Sequence, residues 1–88
     1  MGFDYMQYPT TVKRLAEEMV RSCDAYKANT IGNTEIKDII LHYAATATSL
    51  FFSDNDINPT IKIMLGKKRR DLVYKLLDGY RGMSAPND

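Results

Sequence analysis

Residues 63–77, Ile-Met-Leu-Gly-Lys-Lys-Arg-Arg-Asp-Leu-Val-Tyr-Lys-Leu-Leu, place four consecutive cations directly after a glycine. The apolar residues around that glycine change phase: Ile61, Leu65, Leu72, Val73, Leu76, Leu77 and Tyr80 share one helical face, whereas Ile63 and Met64 do not. An unbroken helix would keep one phase throughout. We therefore predict a short helix over residues 59–65, a kink at Gly66 and a second helix over residues 67–80.

The chain upstream of this stretch carries a first helix over residues 10–28. Its apolar side chains recur at helical spacing and form one stripe: Val12, Leu15, Ala16, Met19, Val20, Cys23 and Tyr26. Pro9 stands near the first turn, and Thr10 is a suitable N-cap. The 88 residues are expected to form a single helical domain, with residues 1–7 as an extended arm and residues 82–88 as a flexible tail.

A second helix, over residues 34–52 and capped by Asn33 or Thr34, is apolar on two sides. One side consists of Ile36, Ile39, Ile40, Tyr43, Ala44, Ala47, Leu50 and Phe51, and the nearly opposite side of Leu41, Ala45, Thr48 and Phe52. A surface helix needs only one apolar face, so this helix either lies at the centre of the fold or meets a partner chain. The predicted fold class is all-α: a small bundle of three main helices plus a short one. Residues 53–58 form a loop in which Asn58 caps the helix that starts at Pro59.

Charge is unevenly distributed along a chain whose formal net charge is only +1. Residues 1–58 carry five Lys and Arg against eight Asp and Glu, which gives −3, and residues 59–88 carry seven against three, which gives +4. No apolar stretch is long enough to span a membrane, and the N-terminus lacks the cationic and apolar regions of a signal peptide. The single cysteine, Cys23, falls on an apolar stripe and suits a reducing compartment. We expect a cytoplasmic protein of bacterial or phage type with no membrane partner.

Patterns for catalysis or metal binding find little support. His42 is the only histidine and the chain has one cysteine, so neither a nucleophile–histidine pair nor a zinc ligand set can be assembled. The Asp-x-Asp-x-Asn of residues 54–58 begins like a calcium loop, but the required Gly and Glu at positions six and twelve are missing. An acid–base pair of Glu18 or Asp24 with His42 has no support from spacing. We predict a protein that is not an enzyme, with no catalytic residue, no metal, no cofactor and no small-molecule substrate.

The basic run offers a binding hypothesis, in which the amides of a helix start and the adjacent cations hold phosphate together. The candidate anion or nucleic-acid contacts are Lys62, Gly66, Lys67, Lys68 and Arg70. The helix–glycine–helix arrangement is similar to helix–hairpin–helix modules, although Met64 stands where that pattern has a further glycine. A solvated charged face is the alternative. Arg69 lies by angle within the apolar stripe, so we predict a structural arginine that pairs with a carboxylate, caps carbonyls or extends past the core edge.

The second apolar side of helix two offers another hypothesis. A chain this short does not easily bury two faces of one helix, so Leu41, Ala45, Thr48 and Phe52 are candidate interface residues, together with Tyr74 on the polar side of the last helix. We predict a non-enzymatic helical interaction module whose partner is a protein, namely a second copy in a homodimer. The alternatives are a central helix two with both faces covered, and nucleic-acid backbone binding through Gly66–Arg70.

Several short motifs carry a family resemblance: Leu15-Ala16, Asp24-Ala25-Tyr26, Asn58-Pro59-Thr60-Ile61-Lys62, Leu65-Gly66-Lys67-Lys68-Arg69, Leu72-Val73 and Leu76-Leu77. Through them, residues 8–78 resemble a family of short, functionally uncharacterised proteins of Gram-positive bacteria that end in a Leu-Gly-Lys-Lys-Arg segment. The resemblance implies a one-domain helical protein and brings no activity, cofactor or catalytic residue. The Ala-Thr-Ala-Thr-Ser stretch of helix two is less charged than such a family leads one to expect.

Overall fold

The computed structural model describes residues 3–54 and 56–78. In chain order the elements are α1 (Val12–Lys27), α2 (Asn33–Thr46), α3 (Thr48–Phe51), β1 (Phe52–Ser53), β2 (Asp56–Ile57) and α4 (Pro59–Leu76). The predicted all-α class is confirmed, because three long helices and one short helix account for nearly all regular structure in those ranges. The last helix, predicted over residues 67–80, ends at Leu76, and Leu77 and Asp78 lie in a turn. Residues 79–80 of that prediction and the predicted tail, residues 82–88, lie outside the described residues.

Helix α1 presents the predicted stripe to the core and packs mainly against α4. Its N-cap is Thr11 rather than the predicted Thr10: the Thr11 hydroxyl accepts a hydrogen bond from the Arg14 amide at 3.1 Å. A capping oxygen accepts from an amide two or three residues later, and Thr11 has the extended backbone (φ −131°, ψ 155°) that allows this. Cys23 is fully buried, and this burial raises the pKa of its thiol to about 11.

The start of helix α2 differs from the prediction. Gly32 is its N-cap and makes no side-chain capping bond, so the predicted cap at Asn33 or Thr34 is wrong. Asn33 instead accepts a hydrogen bond from the Tyr26 hydroxyl at 2.5 Å, which ties the start of α2 to the end of α1. The side chain that could have capped the helix is therefore used between the two helices.

The end of helix α2 also differs, because the helix predicted over residues 34–52 stops at Thr46. Ala47 leaves the helical conformation (φ −118°, ψ 39°), and α3 begins one residue later. The Thr46 hydroxyl donates to the His42 carbonyl at 2.8 Å, and the Thr48 hydroxyl donates to the Ala44 carbonyl at 2.7 Å. Such back-bonded hydroxyls compete for the carbonyls of a helix and bend it.

The segment predicted as a loop folds back on itself as a very short antiparallel hairpin. Phe52 lies opposite Ile57, and Ser53 lies opposite Asp56. The Phe52 ring stacks on Phe51 with 4.5 Å between ring centroids, and the Ile57 side chain is buried. The hairpin thereby closes one end of the core and positions Asp56 in front of α4.

Helix α4 begins and bends as predicted. Asn58 is the N-cap, since its side-chain oxygen accepts from the Thr60 amide at 2.9 Å, and Pro59 occupies the first helical position. Gly66 interrupts the helix with φ 78° and ψ 171°, a backbone conformation that is essentially restricted to glycine. The predicted kink is therefore confirmed, with helical segments on either side of Gly66.

The core lies between α1, α2 and the two segments of α4. Its fully buried larger side chains are Leu15, Met19, Cys23, Ile36, Ile40, Tyr43, Phe51, Ile57, Ile61, Leu65, Val73 and Leu77. Helix α2 contributes its main stripe to this core, as predicted. Leu41 of α2 and Phe52 of β1 belong to the predicted second apolar side. Both pack against the edge of the core and are half-buried.

Candidate interaction surfaces

The predicted interface residues lie at different depths. Ala45 is exposed, whereas Leu41, Thr48, Phe52 and Tyr74 are half-buried. Tyr74 is not a free surface aromatic, because its hydroxyl donates a 2.5 Å hydrogen bond to the Asp56 carboxylate. Burial first, and then that bond to a carboxylate, raise the pKa of Tyr74 to about 12. Tyr74 of α4 therefore belongs to a polar cluster with Asp56 and is not part of the second apolar side of α2.

The stretch from the second half of α2 to β1 contributes no charged side chain to the surface. Residues 39–53 contain no Asp, Glu, Lys or Arg, although 26% of the whole chain is charged. The exposed or half-buried members are Leu41, His42, Ala45, Thr46, Thr48, Ser49, Leu50, Phe52 and Ser53. Tyr8 extends this surface: it is 69% exposed and its ring centroid lies 5.6 Å from that of His42. We call this set, with Tyr8, the uncharged surface. Depletion of charge is typical of the centre of protein interfaces.

Next to the uncharged surface, residues 3–7 lie as an extended arm in a groove formed by α1 and α2. Glu18 of α1 is only 5% exposed, and its Oε1 atom accepts from the Met6 amide at 3.0 Å and from Arg21 Nη1 at 2.8 Å. Arg21 Nη2 also donates to the Asp4 carbonyl at 3.1 Å. A buried carboxylate is costly unless it is paired and hydrogen-bonded, so the arm and Arg21 together offset the cost of burying Glu18.

The α2 side of this groove contributes two further bonds to the arm. The Tyr43 hydroxyl donates to the Met6 carbonyl at 2.6 Å, and His42 Nε2 donates to the Gln7 carbonyl at 2.7 Å. Burial and the nearby Glu18 charge raise the pKa of the Tyr43 phenol above its ordinary value, which keeps it a donor. The sequence predicted an extended arm, but it did not identify Glu18, His42 and Tyr43 as the side chains that bind this arm. Nothing in their spacing indicates that role.

The cations of the predicted contact set are engaged within the chain to different degrees. Lys62 Nζ lies 2.8 Å from Asp56 Oδ2, and Lys67 Nζ lies 3.6 Å from Asp71 Oδ2. Lys68 is exposed and Arg70 is half-buried, and neither forms an ion pair within the described ranges. The structure therefore places the predicted contact residues along both segments of α4, with Gly66 between them, and Lys68 is exposed without an ion pair in the described ranges.

Arg69 has the structural position that the sequence predicts. Its Nε and Nη2 atoms donate to the two Asp24 oxygens at 2.9 and 3.1 Å, and its Nη1 atom donates to the Leu65 carbonyl at 3.0 Å. The hydrogen bonds that Arg69 donates to the Asp24 carboxylate are the main reason that the pKa of Arg69 is raised. Cations are disfavoured at a helix start but favoured at a helix end. Arg69 lies at the start of the second segment. Because the chain bends at Gly66, its side chain reaches the Leu65 carbonyl at the end of the first segment.

Asp56 is a second link between the two segments of α4. One oxygen accepts from Tyr74 and from the Ile57 amide, at 2.5 and 2.7 Å, and the other accepts from Lys62 at 2.8 Å. Burial alone would raise the pKa of Asp56, but the bonds from Lys62 and Tyr74 outweigh it and hold the pKa below its ordinary value. Lys62 precedes the kink and Tyr74 follows it, so this carboxylate fixes the angle between the segments.

Neither a cluster of metal ligands nor a membrane-spanning helix occurs in the described part of the chain. Within residues 3–54 and 56–78, no group of three or more His, Cys, Asp or Glu side chains is arranged to hold a metal ion. None of the helices in these ranges combines the length and the apolar character needed to cross a bilayer.

The fold and these surfaces define a small helical bundle with an N-terminal arm docked across two helices. A family model described as "Conserved hypothetical protein" matches residues 6–78. Because this match covers most of the chain, the protein belongs to that family, and the predicted membership of an uncharacterised family is confirmed at that level. Neither the curated proteins nor the solved structures that were compared with the chain contain a match.

Proposed function

We propose that this protein is a non-enzymatic interaction module that forms a homodimer through the uncharged surface. The observation that carries the proposal is the absence of Asp, Glu, Lys and Arg from residues 39–53, several of which lie on the surface. When two copies meet through such a surface, none of its residues loses the hydration of a charge. Removing charged groups from water is the largest cost of burying a polar face.

Three of the polar side chains on this surface already have hydrogen-bond partners within the chain. The hydroxyls of Thr46 and Thr48 donate to carbonyls of α2, and the His42 ring donates to the arm. A hydrogen-bonded hydroxyl can be buried without an unsatisfied donor. Ala45, exposed between these residues, offers a small side chain over which another helix can pack closely. A two-fold axis beside Ala45 would bring the same surface of both copies together.

An Ala45→Lys substitution tests the proposal, because it places a charge on the uncharged surface without touching the core. Ala28→Lys is the matched control: Ala28 is also exposed, but it follows α1 at the far end of α2. Light scattering across a concentration series should show a dimer for the wild type and for Ala28→Lys. Ala45→Lys should raise the dissociation constant at least about tenfold, equivalent to about 1.4 kcal/mol.

Two results would contradict the dimer. One is a wild-type protein that stays monomeric at its highest soluble concentration. The other is an Ala45→Lys variant that associates as strongly as Ala28→Lys. A strict monomer would favour the alternative interpretation, in which Leu41 and Phe52 only cover the edge of the core.

Nucleic-acid backbone binding is a second candidate, favoured by the kink at Gly66, which starts a new helical segment beside Lys67 and Lys68. The ion pairs of Lys62, Lys67 and Arg69 weigh against it, since each cation would exchange a carboxylate for a phosphate. Titration of labelled DNA and RNA at several salt concentrations tests it. With two phosphates contacted, the affinity should fall with a log–log slope of about −2. No binding at low salt would exclude this function.

We further infer a cytoplasmic location in a Gram-positive bacterium or its phage. The support is the family resemblance carried by the motifs of residues 8–78, together with a single thiol that is buried. Fractionation of the native host, with detection of the protein by antibody, tests the location.

A further inference from the structure

The groove between α1 and α2 holds the arm by its main chain. The contacts are Glu18 with the Met6 amide, Arg21 with the Asp4 carbonyl, Tyr43 with the Met6 carbonyl and His42 with the Gln7 carbonyl. On the arm side, every one of these bonds uses a backbone atom. The side chains of Asp4, Met6 and Gln7 are exposed. The groove therefore recognises an extended backbone at these positions.

Alternate side chains of the arm supply the remaining selectivity. Phe3 and Tyr5 are half-buried against the core, whereas Asp4 and Met6 point outward, which is the two-residue alternation of an extended chain. Phe3 lies under the Arg21 guanidinium at 5.1 Å, and the Tyr5 ring lies edge-on to Tyr43 at 5.8 Å. Main-chain bonds combined with sites for alternate side chains are the usual way that a groove binds an extended peptide. The occupant that fits is an extended aromatic-x-aromatic segment.

An empty groove would lose every contact of the arm. Glu18 would exchange the Met6 amide for water and keep Arg21 as its partner, and Phe3 and Tyr5 would lose their packing against the core. Exposing apolar and aromatic side chains to water is unfavourable. An occupied groove is therefore the stable state, whether the arm comes from the same chain or from another.

We propose that the groove of one copy binds the arm of a second copy, so that two copies exchange residues 3–7 reciprocally. This inference rests on the proposed self-association and names the segment that the partner contributes. The same contacts form within one chain and between two chains, so exchange changes no arm contact and is a low-cost route to a dimer.

The position of Tyr8 favours exchange. Pro9 is buried and anchors the chain to the domain, whereas Tyr8 is 69% exposed and joins Pro9 to the arm. Tyr8 is therefore the hinge. It also belongs to the uncharged surface through its contact with His42. The point at which the arms cross thus lies in the proposed dimer interface, and the short arm has little distance to span.

The test uses two complementary full-length variants. Met6→Pro removes the amide that Glu18 accepts, so this arm variant has a defective arm and an intact groove. Arg21→Ala with Tyr43→Phe removes two donors to the arm, so this groove variant has a defective groove and an intact arm. Met6→Ala, which keeps the amide and truncates an exposed side chain, is the control for the arm variant.

Hydrogen exchange at the Met6 amide of the ¹⁵N-labelled groove variant is measured by NMR, alone and after mixing with the unlabelled arm variant. Arm exchange predicts that mixing slows this exchange at least about tenfold, about 1.4 kcal/mol of protection. Mixing with a copy that carries all three substitutions should have no effect, since that copy has no intact groove. An unchanged Met6 rate in the first mixture overturns arm exchange. If the double substitution unfolds the chain, Tyr43→Phe alone replaces it, since it keeps the buried ring.

The two proposals fail in different ways. Protection that transfers between copies, together with association that is insensitive to Ala45→Lys, supports arm exchange and overturns the role of the uncharged surface. Association that is lost in Ala45→Lys, without transfer of protection, supports that surface and overturns arm exchange.

Discussion

The kink of α4 and the uncharged surface of α2 use their polar groups in opposite ways. Around the kink, Lys62, Arg69 and Asp56 are paired with groups on other elements and hold the fold together. On the uncharged surface, the hydroxyls of Thr46 and Thr48 bond to nearby carbonyls of α2, and residues 39–53 carry no charge. Lys62 and Arg69 thus stabilise the fold, whereas the stretch without charge is the one that we propose for contact. A high density of charge in a sequence does not by itself indicate charge that is free to bind.

Gly66→Ala should give the largest change in stability, and it tests whether the fold depends on the kink of α4. Alanine at φ 78° and ψ 171° is strained even though its Cβ has open space, so we expect a loss of about 1–3 kcal/mol in the free energy of unfolding. Gly32→Ala is the matched control, because Gly32 is also open but has φ −96° and ψ −176°, which any residue adopts. Denaturant unfolding measures both. Equal stability of the two variants would mean that α4 does not need the kink.

Arg69→Ala should have the next largest effect. It removes the paired bonds to Asp24 and the bond to the Leu65 carbonyl, and we expect a loss of about 1–2 kcal/mol in stability. Lys68→Ala removes a neighbouring exposed cation with no ion pair in the described residues, and we expect a change within about 0.5 kcal/mol. Thermal and denaturant unfolding of both variants would sharpen the distinction between internal and free charge. Similar losses of stability in the two variants would contradict the distinction between internal and free charge.

Asp56→Asn should have a smaller effect that depends on pH. Because the folded pKa of Asp56 lies below its ordinary value of 3.8, its contribution to stability is present above that pH and is lost as the pH falls through the folded pKa. We expect the variant to lose about 1 kcal/mol at pH 7 and to approach the wild type in acid. Unfolding from pH 7 to pH 2 measures this. Asp71→Asn, which loses only the 3.6 Å contact with Lys67, should stay close to the wild type throughout.

Much of the fold follows from local patterns in the sequence. The stripe of α1, the Asn-Pro start of α4 and the change of phase at Gly66 each have one local physical cause, and each is found in the structure. The end of α2 at Thr46 has no such marker. No glycine or proline interrupts residues 34–52, and the apolar spacing continues through Ala47. The helix bends because threonine hydroxyls bond back to its carbonyls, an effect that composition alone does not locate.

The candidate site was harder to predict, because its groups meet across the fold. Glu18 bonds an amide twelve residues away, and Tyr43 bonds a carbonyl thirty-seven residues away. Neither separation produces a periodic pattern, and a glutamate on a helix is normally expected to face solvent. Arg69 was predictable as a structural residue because its angle placed it in an apolar stripe. Its partner Asp24, forty-five residues earlier, was not.

The burial of Cys23 gives the protein an intrinsic kinetic reporter. Its thiol is enclosed on α1, the helix that packs against α4, and stays protonated at neutral pH. A thiol reagent can therefore modify it only while the packing around it is open. The labelling rate under native conditions thus counts the openings of this helix pair, with no probe to be introduced. The same reagent can measure how often α4 separates from α1 in each variant.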